Sequence, residues 1–178
     1  MSIIVSMKIT PTSEEIKLKE NDFITSKTDL KGKITYCNES FIYFSGYEEA
    51  DLIGQPHNII RHPDMPRAVY RMMWENLQKQ QEFFGIIKNL SKNGAYYWTF
   101  ANVSSSFDEK GKPIGYYSVR RHASPQIINL LTPIYKEMVA EEGKHNNSNQ
   151  AMDTSIQILN DLISDQQQSY SEFIYTHA

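Results

Sequence analysis

Gly54-Gln55-Pro56-His57-Asn58-Ile59-Ile60-Arg61-His62-Pro63-Asp64-Met65-Pro66 sets two imidazoles, a guanidinium and a carboxylate among three prolines. Each proline fixes its own φ and disfavours the helical region for the residue before it. The segment must turn sharply and hold its polar side chains at set angles. It is too interrupted for a core helix and too charged for a core strand. Taken alone it reads as a surface turn with a solvated ion pair. The sequence on either side gives it a functional reading.

The surrounding chain is 178 residues, 40% hydrophobic and 12% aromatic, a size and composition that suit one globular domain with appendages. A formal charge of -3 gives no basic bias toward nucleic acid. The single cysteine, Cys37, rules out an internal disulfide and fits a reducing compartment. No apolar run reaches the roughly 18 residues of a membrane span, and Met1–Met7 makes a poor signal peptide. A cytoplasmic, soluble protein is expected.

Upstream of the proline stretch, residues 1–11 offer a short apolar strand-like piece. Thr12 and Glu15 have capping-box spacing for a short helix to about Lys19. Phe23–Thr28 reads as a strand, Asp29–Lys33 as a hairpin loop with Gly32 at positive φ, and Ile34–Cys37 as the return strand. Asn38 caps a helix that carries Phe41, Ile42 and Phe44 and ends at Gly46, and Glu48–Leu52 makes another helical turn. Downstream, Pro66 opens a helix with Val69, Met72, Met73, Trp74 and Leu77 at helical spacing to about Gln80.

Three strands follow: Phe83–Asn89, Tyr96–Phe107 and Ile114–Arg121, joined by turns at Ser91–Gly94 and Asp108–Pro113. Two strands, short helices, a longer helix and three strands make an α+β domain, a five-stranded antiparallel sheet with helices on one face. After Ser124-Pro125 a helix carries Ile127, Ile128, Leu131, Ile134, Tyr135 and Met138, with Pro133 as a kink. The boundaries expected are an N-terminal cap over 1–22, the domain over 23–123, a flanking helix over 124–142 and a polar linker over 143–149. A last amphipathic helix takes up 150–178. Its stripe of Met152, Ile156, Leu159, Ile163, Tyr170 and Phe173, with Gln166 filling the gap, has coiled-coil spacing; it seats a partner or folds back on the domain.

The order of elements, with Asn38, Phe41, Ser45-Gly46-Tyr47 and Leu52-Ile53-Gly54, resembles a PAS domain. The run from Gln55 to Pro66 is a narrower match. Together with Gly85-Ile86-Ile87-Lys88-Asn89 and Lys92-Asn93-Gly94-Ala95-Tyr96-Tyr97-Trp98, it resembles the flavin-binding PAS domain of Aer-type aerotaxis receptors and their two-protein, CetB-type relatives. The resemblance covers about Phe23 to Ala123 and continues more weakly to Tyr135. It implies non-covalent FAD between sheet and helices, redox or energy sensing, and signalling to a membrane-bound methyl-accepting chemotaxis receptor or its cytoplasmic region, with a homodimer expected. Aer-type receptors continue into a membrane anchor and a signalling domain; without these, output is expected to need a partner at the inner membrane face.

The chemistry of the residues agrees with such a ligand. Phe41, Trp74, Phe83 and either Trp98 or Tyr97, of which Trp98 is favoured, supply flat walls for a ring system. His57, Asn89 and Asn102 are candidate hydrogen-bond partners for it. Arg61 and His62 suit a pyrophosphate, with Asp64 orienting them, and Asn38 belongs to the family pattern. Core packing is an equal role for Trp74, and helix capping for Asn38 and Asp64. Phe83 stands where Aer-type domains carry tryptophan, which removes an indole N–H.

Other readings fit less well. A covalent flavin photoreceptor needs a cysteine on the helix beside the ring, and Cys37 ends a strand. A haem sensor of the usual kind needs a histidine on the long helix, and residues 67–81 contain none. His57, His62, Asp64 and His122 match no tight zinc spacing, and there is no phosphate loop or nucleophile motif of an enzyme. A cofactor-free or haem-binding PAS module that mediates dimerisation or partner docking is the remaining alternative.

Overall fold

The computed structural model describes residues 9–163 and 168–178. Of the strand-like piece expected over residues 1–11, residues 1–8 lie outside the described residues, as does the seam residue Gln166, and residues 9–11 form no strand. Five strands form one antiparallel sheet in the order β2-β1-β5-β4-β3: β1 Ile24–Thr28, β2 Ile34–Cys37, β3 Phe83–Leu90, β4 Tyr96–Phe107 and β5 Pro113–Arg121. The sequence places each of these strands to within a residue.

Between β2 and β3 come α1 Glu39–Ser45, α2 Glu49–Leu52, a 3-10 turn His57–Ile60 and α3 Arg67–Gln78. Asn38 caps α1 by accepting the Phe41 N–H, and Gly46 closes it in the left-handed region. The proline stretch strings these helices across the sheet. At one end Ile34 N–H donates to Gln55 O, and Gly54 and His57 N–H donate to Ile34 O and Gly32 O, which covers the free edge of β2. At the other end Arg61 bridges to Asn89 on β3. One short segment thereby spans the inner face from β2 to β3.

Strand alternation sorts the side chains. The register Phe83↔Val103, Gly85↔Ala101, Ile87↔Thr99 and Asn89↔Tyr97 puts the odd positions of β3 and β4 on the inner face. The register Ser26↔Ser118 does the same for Ile24, Ser26 and Thr28 with Tyr116, Ser118 and Arg120. Tyr97 therefore joins the inner cluster of Phe41, Phe44, Leu52 and Ile60, and Trp98 points outward to Tyr135, ring centroids 6.4 Å apart. The preference for Trp98 as a wall of the ligand slot is corrected: the register gives that side of β4 to Tyr97.

Two further expectations are revised. Residues 12–19 form no helix. Ile16 N–H donates to Tyr96 O and Tyr96 N–H to Glu14 O, so the segment runs extended beside β4, with Ile16 and Leu18 at the two-residue spacing of a strand. The last helix is two helices, α5 Ser148–Ile163 and α6 Tyr170–His177, following α4 Pro125–Glu142. Their apolar residues, Leu159, Ile163, Tyr170, Phe173 and Ile174, are buried on the chain's own core. The stripe folds back instead of presenting a seam to a partner.

The C-terminal helices also finish the outer edge of β3. Phe84 N–H donates to Ser171 Oγ, and Ile86 N–H donates to Tyr170 Oη. Tyr135 donates its hydroxyl to Ile86 O and is paired with Tyr170. Glu142, at the end of α4, accepts the N–H groups of Arg67 and Ala68 and so caps α3. Among the described residues no helix is long and apolar enough to cross a membrane.

Candidate functional site

Between α3 and the inner face of the sheet lies a cavity of about 230 Å³. Its walls are Leu77, Phe83, Ile87, Ala101 and Val103, with Met73 and Trp74 from α3. Its polar groups gather at one side: Ser26, His57, Arg61, Tyr70, Asn89, Ser118 and Arg120. A mainly apolar slot with a few convergent polar groups is the usual form of a site for a flat organic ligand.

Arg120 is the centre of the polar side. Its guanidinium is buried on β5, donates through Nη2 to His57 Nε2 at 2.8 Å and through Nη1 to Ser26 Oγ at 3.2 Å. No carboxylate pairs with it among the described residues. Burial lowers its pKa to about 10, so it keeps its charge at neutral pH. Burial, and then the neighbouring guanidinium, holds His57 down at about 3. The imidazole is therefore neutral, and its Nε2 accepts from Arg120, which leaves the proton on Nδ1. Burial also pushes the Tyr70 phenol up to about 12. Ser118 Oγ lies beside them, buried and without a hydrogen-bond partner among the described residues.

A buried cation without an anion, together with a hydroxyl without a partner, makes a wall of hydrogen-bond capacity that the protein itself does not use. The polar edge of a flavin ring, with its carbonyls and ring nitrogens, matches such a wall in chemistry. Asn89 adds to it. Its amide nitrogen donates to Ile87 O and Thr99 Oγ1, and Oδ1 has no hydrogen-bond partner among the described residues. Arg61 lies over the Tyr70 ring, 4.1 Å from guanidinium carbon to centroid, and donates to Met65 O.

Of the residues expected at the site, His57, Arg61, Trp74, Phe83 and Asn89 line the cavity. Trp74 stands at its mouth, 37% exposed and edge-on to Tyr116. Phe41 is one layer back, its ring edge-on to His57 at 5.6 Å. Five others are elsewhere. Asn38 caps α1 and ties Thr25 N–H and Phe23 O. His62 is buried against Tyr96, with Nδ1 accepting the Asp64 N–H. Asp64 is exposed and paired with Lys88 at 2.7 Å. Trp98 and Asn102 share the outer face, where Asn102 donates to Glu82.

The sequence alone does not single out Arg120, Ser26, Ser118 or Tyr70. In Tyr116-Tyr117-Ser118-Val119-Arg120-Arg121 the alternation groups Arg120 with Ser118, yet only the register with β1 shows which of the two arginines turns inward. Cys37 is buried at the end of β2 and is not among the cavity's lining residues. His57 is the cavity's imidazole, but its Nε2 is engaged by Arg120 and Ser26 and is not free for a haem iron. No cluster of three metal-ligating side chains occurs among the described residues.

Comparison with known proteins agrees with this geometry. The family model described as PAS fold matches residues 34–120. The aerotaxis receptor of Escherichia coli (strain K12) is 42% identical over 129 residues, 72% of this chain and 25% of the receptor. The nitrogen fixation regulatory protein of Klebsiella pneumoniae is 28% identical over 99 residues, 56% of this chain and 20% of that protein. The chain thus spans a quarter or less of these relatives. The dark structure of the blue-light photoreceptor Aureochrome1 LOV aligns with a TM-score of 0.54 at 20% identity, covering 62% of this chain and 81% of that one. A PAS domain from Colwellia psychrerythraea aligns with a TM-score of 0.53 at 24% identity, covering 57% and 86%. These two likenesses concern the fold alone. Residues 34–120 therefore form a PAS domain, and it is of the aerotaxis-receptor type.

Proposed function

We propose that this PAS domain is a redox or oxygen sensor of the energy-taxis kind, a binding module that holds FAD non-covalently and reports to a chemoreceptor partner by a change of conformation. The observation that carries this reading is the buried Arg120 guanidinium facing the cavity without a carboxylate. Leaving a charge unbalanced in the interior costs several kcal/mol. A ligand with electron-rich groups at that wall offsets the penalty. The identity with the aerotaxis receptor supports the same class of sensor.

When bound, the flavin supplies reversible electron uptake with a change of charge and protonation. The chain's own groups are arranged to respond. Arg120, held by Ser26 and His57, keeps a fixed positive charge at the polar wall. His57 stays neutral across the physiological range and so orients the guanidinium without repelling it more strongly. Asn89 Oδ1 is a fixed acceptor on β3, and Phe83, Ile87 and Leu77 keep water from the apolar wall. Hydrogen bonds to a charged group contribute about 1.5–3 kcal/mol, enough to bias a two-state element. The element next to the ligand is α3, which meets the cavity through Tyr70, Met73 and Trp74 and is capped by Glu142 of α4. That cap is the route by which the cavity's state reaches the C-terminal helices.

The test is chemical identification. Protein purified without added cofactor is denatured, and the released chromophore is compared with authentic FAD and FMN. FAD is expected in stoichiometric amount. FMN, or haem, in its place contradicts the reading.

A further inference from the structure

Two turns at one end of the sheet share the pattern Asp-x-Lys-Gly-Lys: Asp29–Lys33 after β1 and Asp108–Lys112 before β5. They also share their geometry. In each, the aspartate Oδ1 accepts the N–H groups of both lysines, and the glycine has φ of +75 or +74. Because β1 and β5 are antiparallel neighbours, with Thr28 opposite Tyr116, the turns stand side by side. The turns carry Lys31, Lys33, Lys110 and Lys112 against Asp29, Asp108 and Glu109, with one oxygen of each aspartate engaged by its own turn's backbone. The four lysines are exposed, and none of their ammonium groups forms an ion pair among the described residues.

Large apolar side chains stand out of the same end. Leu30 is 48% exposed at the tip of one turn, and Ile114 and Phe107, which flank the other, are 55% and 42% exposed. Trp74, at the cavity mouth, packs beside Gly32 of the first turn. Solvated turns of a monomer have no need of such residues, whereas aliphatic and aromatic groups set among lysines suit the boundary of an anionic bilayer.

We infer that this end docks on the surface of an anionic phospholipid membrane, lysines on the headgroups and Leu30, Phe107, Ile114 and Trp74 at the acyl boundary. Docked in this way, the cavity mouth faces the lipid, because Lys31, Gly32 and Trp74 belong to both. The inference does not depend on which ligand fills the cavity.

The test uses the full chain and vesicles of phosphatidylglycerol with phosphatidylethanolamine, against vesicles of phosphatidylcholine alone. Co-sedimentation with the anionic vesicles is expected, weakening with salt, with a blue shift of tryptophan emission that Trp74→Phe abolishes. Lys33→Glu/Lys110→Glu/Lys112→Glu is expected to lower partitioning by about tenfold or more. Its charges lie outside the cavity lining, and thermal unfolding checks its fold. Phe107→Ser/Ile114→Ser is expected to lose the binding that survives high salt. No binding to anionic vesicles, equal binding to phosphatidylcholine, or full binding by a folded triple variant would overturn the inference. So would a wild type that binds no vesicles but holds a protein partner which these variants lose.

Discussion

Arg120 has no evident reason to be buried if the domain only needs to fold. Replacing a buried ion by an apolar group of similar volume is often neutral or stabilising, so its place on the inner face of β5 points to a ligand. His57 has a consequence that needs no ligand. Its folded pKa, about 3, lies below the ordinary 6.5. Between those values the unfolded chain binds a proton that the folded chain refuses, so stability falls as pH falls through that window. The slope is about 1.4 kcal/mol per pH unit inside it. Urea unfolding at pH 7 and pH 5 is expected to show a loss of about 2 kcal/mol from this side chain. His57→Gln removes that share. His62, held down to about 4 mainly by burial, adds to the fall in both proteins, so the difference isolates His57. Equal pH dependence in the two proteins contradicts a buried, neutral His57.

Among the elements, α3, α4 and α6 carry the most specific expectations. Tyr170→Phe leaves the buried Ile86 N–H without its acceptor, which costs about 1–3 kcal/mol. Hydrogen exchange at that amide is expected to speed up while the centre of β5 stays protected. Unchanged exchange at Ile86 contradicts the role given to α6 in finishing the β3 edge. Glu142→Ala uncaps α3 at two backbone N–H groups; a loss of about 2 kcal/mol in urea unfolding is expected. A loss no larger than that of Glu141→Ala, whose partners Lys144 and His145 are local, argues against that cap.

The strands, α1 and α3 were legible because period, caps and turn residues are local signals: Asn38, Gly32, Gly46 and the Asn93-Gly94 turn mark their own ends. What could not be read locally depended on pairing. Tyr97 and Trp98 are adjacent and equally aromatic, and only the register with β3 turns Tyr97 inward. The spacing of Thr12 and Glu15 fits a helix, but Thr12 Oγ1 donates to Gly94 O and the chain is taken up as an extended strip. The stripe from Met152 to Phe173 is legible as apolar, while its occupant, the domain's own core, is set by α6 returning to β3.

At the scale of the whole molecule, three structural layers meet at the cavity: the proline stretch across the inner face, α3 above it, and the C-terminal helices that cap α3 and border β3. Deleting residues 144–178 strips Leu159, Ile163, Tyr170, Phe173 and Ile174 from the core that includes Phe83 and Ile86. The truncated protein is expected to be markedly less stable and prone to self-association, as light scattering during heating would show. A truncation that melts like the full chain and stays monomeric contradicts the folded-back arrangement.

The most direct measurement sets the wild type beside Arg120→Gln, both stripped of ligand, refolded and titrated with FAD, with circular dichroism as the check on fold. The wild type is expected to take up FAD stoichiometrically and turn yellow. The variant, keeping its fold, is expected to bind about ten to a hundred times more weakly, the loss of one charge-assisted contact. A wild type that stays colourless, or a variant that binds FAD equally well, contradicts the assignment of this cavity.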